Sequence, residues 1–389
     1  MTQRSTDALV IGGGLLGLAC AHELAGAGMR VTLLERATCG AEASSAAAGL
    51  LQPFAEVPEP GPYLDACCEA LELWPAWLER IRSESGLEVE LSDWGTLFVA
   101  FESEAAGRFS SESRQWVDDM RQALADFGEP FETLRAEQTY RLLPQLAPGA
   151  AGGLHLRRER RVHNVLACRA AAEACRRAGV ELLEHAPVER VELRPKEARV
   201  ESPRWTGRAG RVVLTAGAWS GGIEGLAEFP VRPRRGQILL YRGCAWDWTG
   251  CLRAGRRYAV RRGDDELLIG STVEDVGFDK STTPEALAAL RAFAETLLPP
   301  LRDLQPAGAW AGLRPGSADD LPLLGRWRET PLWLATGHFR SGILLAPWSA
   351  HRLTGWLTGS TGEGENPFSP DRFETVPRHP TEIGGSHGT

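Results

Sequence analysis

The sequence predicts an α/β fold, a parallel-sheet domain interrupted by an inserted α+β domain that carries a mixed or antiparallel sheet. Three observations predict it. The stretch DALVIGGGLLGLACAHELAGAGMRVTLLER, opening at Asp7, passes from a short apolar run through a glycine-rich turn and a helical pattern into a second apolar run closed by an acid. Strand-like and helix-like runs then alternate irregularly over the middle of the chain. Near the C-terminus, PLWLATGHFRSGILLAPWSAHRLTGWL returns to a strand, a glycine-bounded turn and a helix.

The first segment has the composition of a Rossmann-like βαβ unit. Residues 8–11 read as a buried parallel strand, and Gly12, Gly14 and Gly17 occupy the GxGxxG positions: a tight turn, close backbone approach to a pyrophosphate, and close helix-on-strand packing. The helix that begins near Leu15 and Leu16 aims its N-terminal amides at the phosphates. Residues 29–34 form the next strand. Glu35, followed by Arg36, stands where a carboxylate accepts hydrogen bonds from adenosine ribose hydroxyls. Such a site fits NAD as well as FAD, so an NAD(P)-linked dehydrogenase stays open at this point.

Small residues follow from 41 to 49, including Ser44, Ser45, Ala47, Ala48 and Gly49, before Leu51. They let backbone approach something flat and bulky, although Ser44 or Ser45 also suits the start of an ordinary helix. Leu64, Leu71, Trp74, Leu78 and Ile81 recur at helical spacing between 63 and 86. ELSDWGTLFVAF reads as a hairpin turning at 93–95, and residues 113–127 as an amphipathic helix. Helix returns at 164–179, followed by two short strands with Val188 at their junction. The strand at 212–215 ends in small residues, Ala216 and Gly217, with Trp219 beyond. Strands at 236–241, 258–260 and 266–269 precede a helix opened by Pro284. A strand at 332–335 and a helix starting near Gly342 close the pattern. The expected division is a discontinuous nucleotide-binding domain at 1–55, 150–225 and 311–375, a substrate domain at 56–149 and 226–310, and a mobile tail at 376–389.

Composition narrows the functional classes. The 389 residues carry a net charge of −8 without long blocks of one sign, which argues against a nucleic-acid partner. No apolar run approaches the roughly 18 to 20 residues of a membrane helix, and the first apolar run lacks a cationic leader and a cleavage site. A cytoplasmic location is therefore expected, without a membrane. The eight cysteines form no CxxC pair and no metal-ligand spacing, so they read as reduced, mostly buried thiols, and a metal site is not expected.

With these residues in view, the chain resembles the flavin-dependent D-amino-acid oxidase superfamily, most closely the glycine oxidases of thiamine biosynthesis. VIGGGLLGLACAHELA with Glu35, ASSAAAGLLQP, GSTVEDVGFDK, WAGLRPGSADDLPLLG and ATGHFRSGILLAP carry the resemblance, over about a third of the chain. It implies FAD, bound non-covalently because no cysteine lies near Gly312, and makes the parallel-sheet domain a Rossmann-like FAD-binding domain. The turn His338, Phe339, Arg340, Ser341, Gly342 and Ile343 would lie beside the flavin, with the following helix dipole stabilising negative charge on the reduced ring. The family commonly has Asn where this chain has Ser341.

The resemblance also assigns catalytic positions. It maps Arg314 onto the arginine that binds the amino-acid carboxylate and Tyr258 onto the tyrosine that shares it, with Arg340 beside the flavin and Val273 on the pocket wall. A guanidinium fork suits a carboxylate bidentately. Alternatives stay open: an ion-paired Arg314, a core Tyr258, and Arg256 and Arg261 as either substrate-attracting or strand-edge cations. The implied reaction is an FAD-dependent oxidative deamination of glycine or another small amino acid or amine, such as sarcosine or a small D-amino acid, by hydride transfer to flavin N5. The products would be an imine, then glyoxylate or a 2-oxo acid, ammonia and hydrogen peroxide, with O2 as acceptor. A dehydrogenase serving a quinone or carrier protein, or a flavin-binding subunit without turnover, is not separated from this by sequence. Assembly into a homo-oligomer also stays open.

Overall fold

The computed structural model describes residues 4–56, 59–102, 108–226, 229–244, 246 and 248–373. One sheet has a parallel core in the order Glu181–Leu183, Val31–Leu34, Arg4–Ile11, Trp205–Leu214 and Leu332–Thr336. Ala8, Leu9, Val10 and Ile11 are all buried, because helices cover one face of these strands and apolar side chains the other. The helix Leu15–Gly26 packs there against Asn164–Arg177 and Ala346–Thr358. Antiparallel strands Ala198–Ser202, Arg190–Leu193 and Leu323–Arg326 extend the sheet. The chain leaves Arg4–Ile11 toward one edge and later returns through Trp205–Leu214 on its other side, which opens a crevice at the carboxyl ends of those two strands.

The second sheet has eight strands in the order Gly308–Ser317, Val231–Arg242, Glu266–Gly270, Arg257–Arg262, Cys251–Ala254, Thr96–Phe101, Ala150–Leu156 and Glu132–Arg135. It is antiparallel except where Cys251–Ala254 meets Thr96–Phe101. The architecture is thus the expected α/β one with an inserted α+β region. Sheet membership moves the expected boundaries, however. Residues 150–156, assigned from sequence to the nucleotide-binding part, pair with Thr96–Phe101, and the whole of Gly308–Ser317 pairs with Val231–Arg242 across the boundary expected at 311.

Two local expectations are corrected. The hairpin around 93–95 does not form: Leu91–Ser92 pairs with Arg160–Val162 in a small third sheet, while Thr96–Phe101 enters the large one. Every residue of Thr96–Phe101 is buried, so it needs long neighbours on both edges, which a two-residue partner cannot supply. The last helix begins at Ala346 rather than near Gly342, with Pro347 in its first turn. Residues 342–345 form a turn closed by the Leu345 amide donating to Ser341 O at 2.8 Å.

No helix among the described residues is long and apolar enough to cross a membrane. All eight cysteines are unbridged, and Cys20, Cys67, Cys168, Cys175 and Cys251 are buried. The expected tail at 376–389 lies outside the described residues. Just before it, Phe368 is buried with its ring edge-on to Tyr63 and Trp348.

Candidate active site

A continuous cavity of about 390 Å³ runs from the glycine-rich turn to the second sheet. At one end its wall includes Gly12, Gly14, Leu16, Glu35, Arg36, Val188, Ala216, Gly217 and Trp219. Gly12 turns at φ +108°, where a side chain would be strained. Gly17 lies behind the wall: a Cβ there would overlap the Gly12 carbonyl oxygen, so its lack of a side chain serves helix-on-strand packing. Leu15 is also behind the wall, its amide donating to Ser44 Oγ at 3.0 Å. The Glu35 carboxylate accepts from the Gly13 amide at 2.6 Å and the Ala37 amide at 2.8 Å, which fixes it at the strand end. The Arg36 guanidinium stacks 3.5 Å from the Trp219 ring centroid and pairs with Glu42 at 2.5 Å.

The small-residue segment forms the middle of the wall with Ser44, Ala46, Ala47, Ala48 and Gly49. Ala43–Ala46 is a single helical turn. Ser44 does not cap it; its hydroxyl serves the longer Leu15–Gly26 helix instead. Buried Asn164 holds the segment from behind, its Nδ2 donating to the carbonyls of Ser44 at 2.6 Å, Ser45 at 3.2 Å and Ala47 at 2.9 Å. Beyond Leu15 and Gly17, two further residues expected at the cofactor do not line the cavity. Ser45 turns away, its amide bonded to Gly40 O, and Leu51 is fully buried in the core.

At the far end stand Tyr258, Gly312, Arg314, His338, Phe339, Arg340, Ser341, Gly342 and Ile343. Arg314 donates through Nη1 to Thr272 O at 3.1 Å and through Nη2 to Ser271 Oγ at 2.8 Å, both neutral groups. Burial pulls its pKa down, yet a guanidinium remains charged at neutral pH. Gly236, paired across the strands from Gly312, leaves room for this guanidinium, and Gly270 leaves room for the Tyr258 hydroxyl. Tyr258 is 6% exposed, and burial raises its pKa. The Phe339 amide donates to Pro315 O at 2.8 Å, tying the turn to the Arg314 strand. His338 Nε2 sits 2.9 Å from Ser349 Oγ, and burial pushes its pKa down to about 4, so the ring is a neutral structural element of the turn.

Sequence reasoning missed the acid here. Glu56 lines the cavity, and its Oε2 lies 2.8 Å from Arg340 Nε. Its Oε1 accepts from Nη2 of Arg253, which is fully buried and also donates to Gln52 Oε1 through Nε at 2.9 Å and Nη2 at 2.7 Å. Gln52 Nε2 reaches Thr96 Oγ1 at 2.5 Å, near fully buried Glu159, whose Oε1 accepts from the Ala55 amide at 3.2 Å. Gln52 and Glu56 lie at i and i+4 just after the small-residue segment, the one sequence signal that marks them. By contrast, Arg256 is exposed over Trp116, Arg261 donates to carbonyls of Trp246, Gly263 and Asp264, and Val273 is 50% exposed outside the cavity wall.

Fold and cavity together define a dinucleotide-binding enzyme whose second sheet closes one end of the cofactor crevice. The family model for FAD dependent oxidoreductases (DAO) matches residues 7–356, and the chain belongs to that family. It is 37% identical over 371 residues to a glycine oxidase of Pseudomonas aeruginosa, covering 91% of this chain and 95% of that one. A bifunctional protein ThiO/ThiG of Synechocystis is 32% identical over 387 residues, spanning 97% of this chain and 56% of that protein. Among solved structures, the crystal structure of glycine oxidase from Geobacillus kaustophilus matches with a TM-score of 0.86 at 28% identity, covering 95% of this chain and 99% of that one.

Proposed function

We propose that the chain oxidises glycine and comparably small amino acids or amines, such as sarcosine and small D-amino acids, with FAD held non-covalently in the cavity and O2 as acceptor. Imine product would hydrolyse to glyoxylate or another 2-oxo acid and ammonia, or pass to thiazole synthesis for thiamine, and hydrogen peroxide would form. The observation that carries this reading is Arg314, a guanidinium facing the cavity and bonded only to neutral groups.

The residues present fit FAD. The wall is built from alanines and glycines at 41–49, Glu35 stands at the nucleotide end, and the amides of the turn at 342–344 make no backbone hydrogen bond to other described residues. When bound, FAD supplies the two-electron acceptor. The chain's own groups do the rest. Gly12, Gly14 and the start of the Leu15–Gly26 helix would take the pyrophosphate, Glu35 the ribose, and residues 338–343 the ring. Arg314 and the Tyr258 hydroxyl would grip the substrate carboxylate and so orient its α-carbon. Closure of the site around a small zwitterion excludes water, which favours the neutral amine needed for C–H cleavage. No side chain is required as a base.

Mixing the holoenzyme anaerobically with glycine, sarcosine, D-alanine and D-proline tests this. Glycine should bleach the yellow colour and air should restore it rapidly. No bleaching by any of the four would refute amine oxidation, and slow recovery in air with fast recovery on adding a quinone would favour the dehydrogenase reading.

A further inference from the structure

We propose that Glu56 limits the charge of the substrate, admitting one carboxylate on Arg314 and refusing a second that Arg340 would otherwise bind. The inference rests on the reading of Arg314 given above. Three charged side chains line this end of the cavity, Arg314, Arg340 and Glu56, and they are not equivalent. Arg314 is bonded only to neutral groups, whereas Arg340 has Glu56 Oε2 at 2.8 Å from its Nε. One cation is therefore without a carboxylate partner, and the other shares the Glu56 carboxylate with Arg253.

Glu56 is also unable to swing aside. Its other oxygen is held by Arg253, whose side chain is 0% exposed and is itself anchored by two bonds to Gln52. The Glu56 side chain is 12% exposed, so its charge is poorly screened. An amino acid with a single carboxylate gains the direct contact with Arg314, which lies within reach of the Glu56 charge as well. A substrate whose nitrogen carries a second carboxymethyl group has to place that carboxylate toward Glu56 or Arg340, where like-charge repulsion opposes it. Replacing Glu56 by glutamine keeps an acceptor for Arg253, removes the repelling charge and uncovers Arg340.

Unreactive probes separate binding from turnover. Acetate and diglycolate, a monoanion and a dianion, are titrated into the holoenzyme and followed by the flavin absorbance. In the wild type, diglycolate should bind no more than about threefold tighter than acetate. In Glu56→Gln it should bind at least about tenfold tighter than acetate, and kcat/KM for iminodiacetate relative to glycine should rise by a similar factor. The double variant Glu56→Gln, Arg340→Gln should lose that gain. A wild type that already prefers diglycolate tenfold, a ratio unchanged in Glu56→Gln, or a gain that survives in the double variant would each overturn the proposal, and the first needs no variant. Arg314→Gln tells the failures apart. If it weakens acetate at least tenfold while the Glu56 ratio stays flat, only the role of Glu56 falls; if acetate affinity is unchanged, the carboxylate anchor falls and this inference with it.

Discussion

Arg314 was legible from the resemblance that the GLRPG motif carries, although its surroundings are not local: Gly236 sits on the one strand paired with its own, and Ser271 and Thr272 lie just past the strand beyond that. Truncating it to alanine should reduce kcat/KM for glycine by about 2–5 kcal/mol, mostly through KM, measured by steady-state oxygen consumption. Glu56 and Glu159 were not legible, since no motif marks them and their partners also come from distant sequence; Arg253 is nearly 200 residues from Glu56. Burial raises the Glu159 carboxyl to about 7 from an ordinary 4.5. A group whose folded value is raised contributes stability that is full below about 4.5 and is lost as pH rises through about 7. Glu159→Gln should therefore gain on the wild type, by an amount on the order of 3 kcal/mol, between pH 5 and pH 8, read as the difference in Tm. His338 acts in the opposite sense. Its value is lowered to about 4, so its contribution is full above about 6.5 and is lost as pH falls through about 4.

At the scale of elements, long strands and helices were readable because burial imposes their periodicity, as in the Asn164–Arg177 helix and the strand Arg4–Ile11. The misread pieces are short. Leu91–Ser92 finds its partner some 70 residues away, a pairing that local pattern does not encode. The small-residue segment was recognised as a place of close approach, but not what braces it. Asn164→Ala would strip hydrogen bonds from three buried or half-buried carbonyls and should cost about 2–3 kcal/mol of stability. FAD affinity should fall with it, as measured by the flavin remaining after gel filtration. Full retention of flavin would show that the segment is held by other contacts.

For the whole molecule, the cavity is walled by both sheets, so FAD held there as proposed would serve as a third component of the packing. Stripping it should lower Tm, and titrating it back to about 100 times its Kd should restore about 2.7 kcal/mol. An unchanged Tm would place FAD outside the crevice. The presence of a parallel sheet and a second, largely antiparallel one was legible, while the sheet that Ala150–Leu156 and Gly308–Ser317 join was not, because distant partners decide it. The sulfur atoms have a consequence of their own. Burial raises the pKa of every thiol, to about 11 for Cys68 and Cys251 and to about 12 for Cys20, Cys168 and Cys175. Peroxide attacks the thiolate, a form scarcely populated at neutral pH under these conditions. An oxidase of the kind proposed above, releasing hydrogen peroxide at each turnover, would thereby be shielded from its own product.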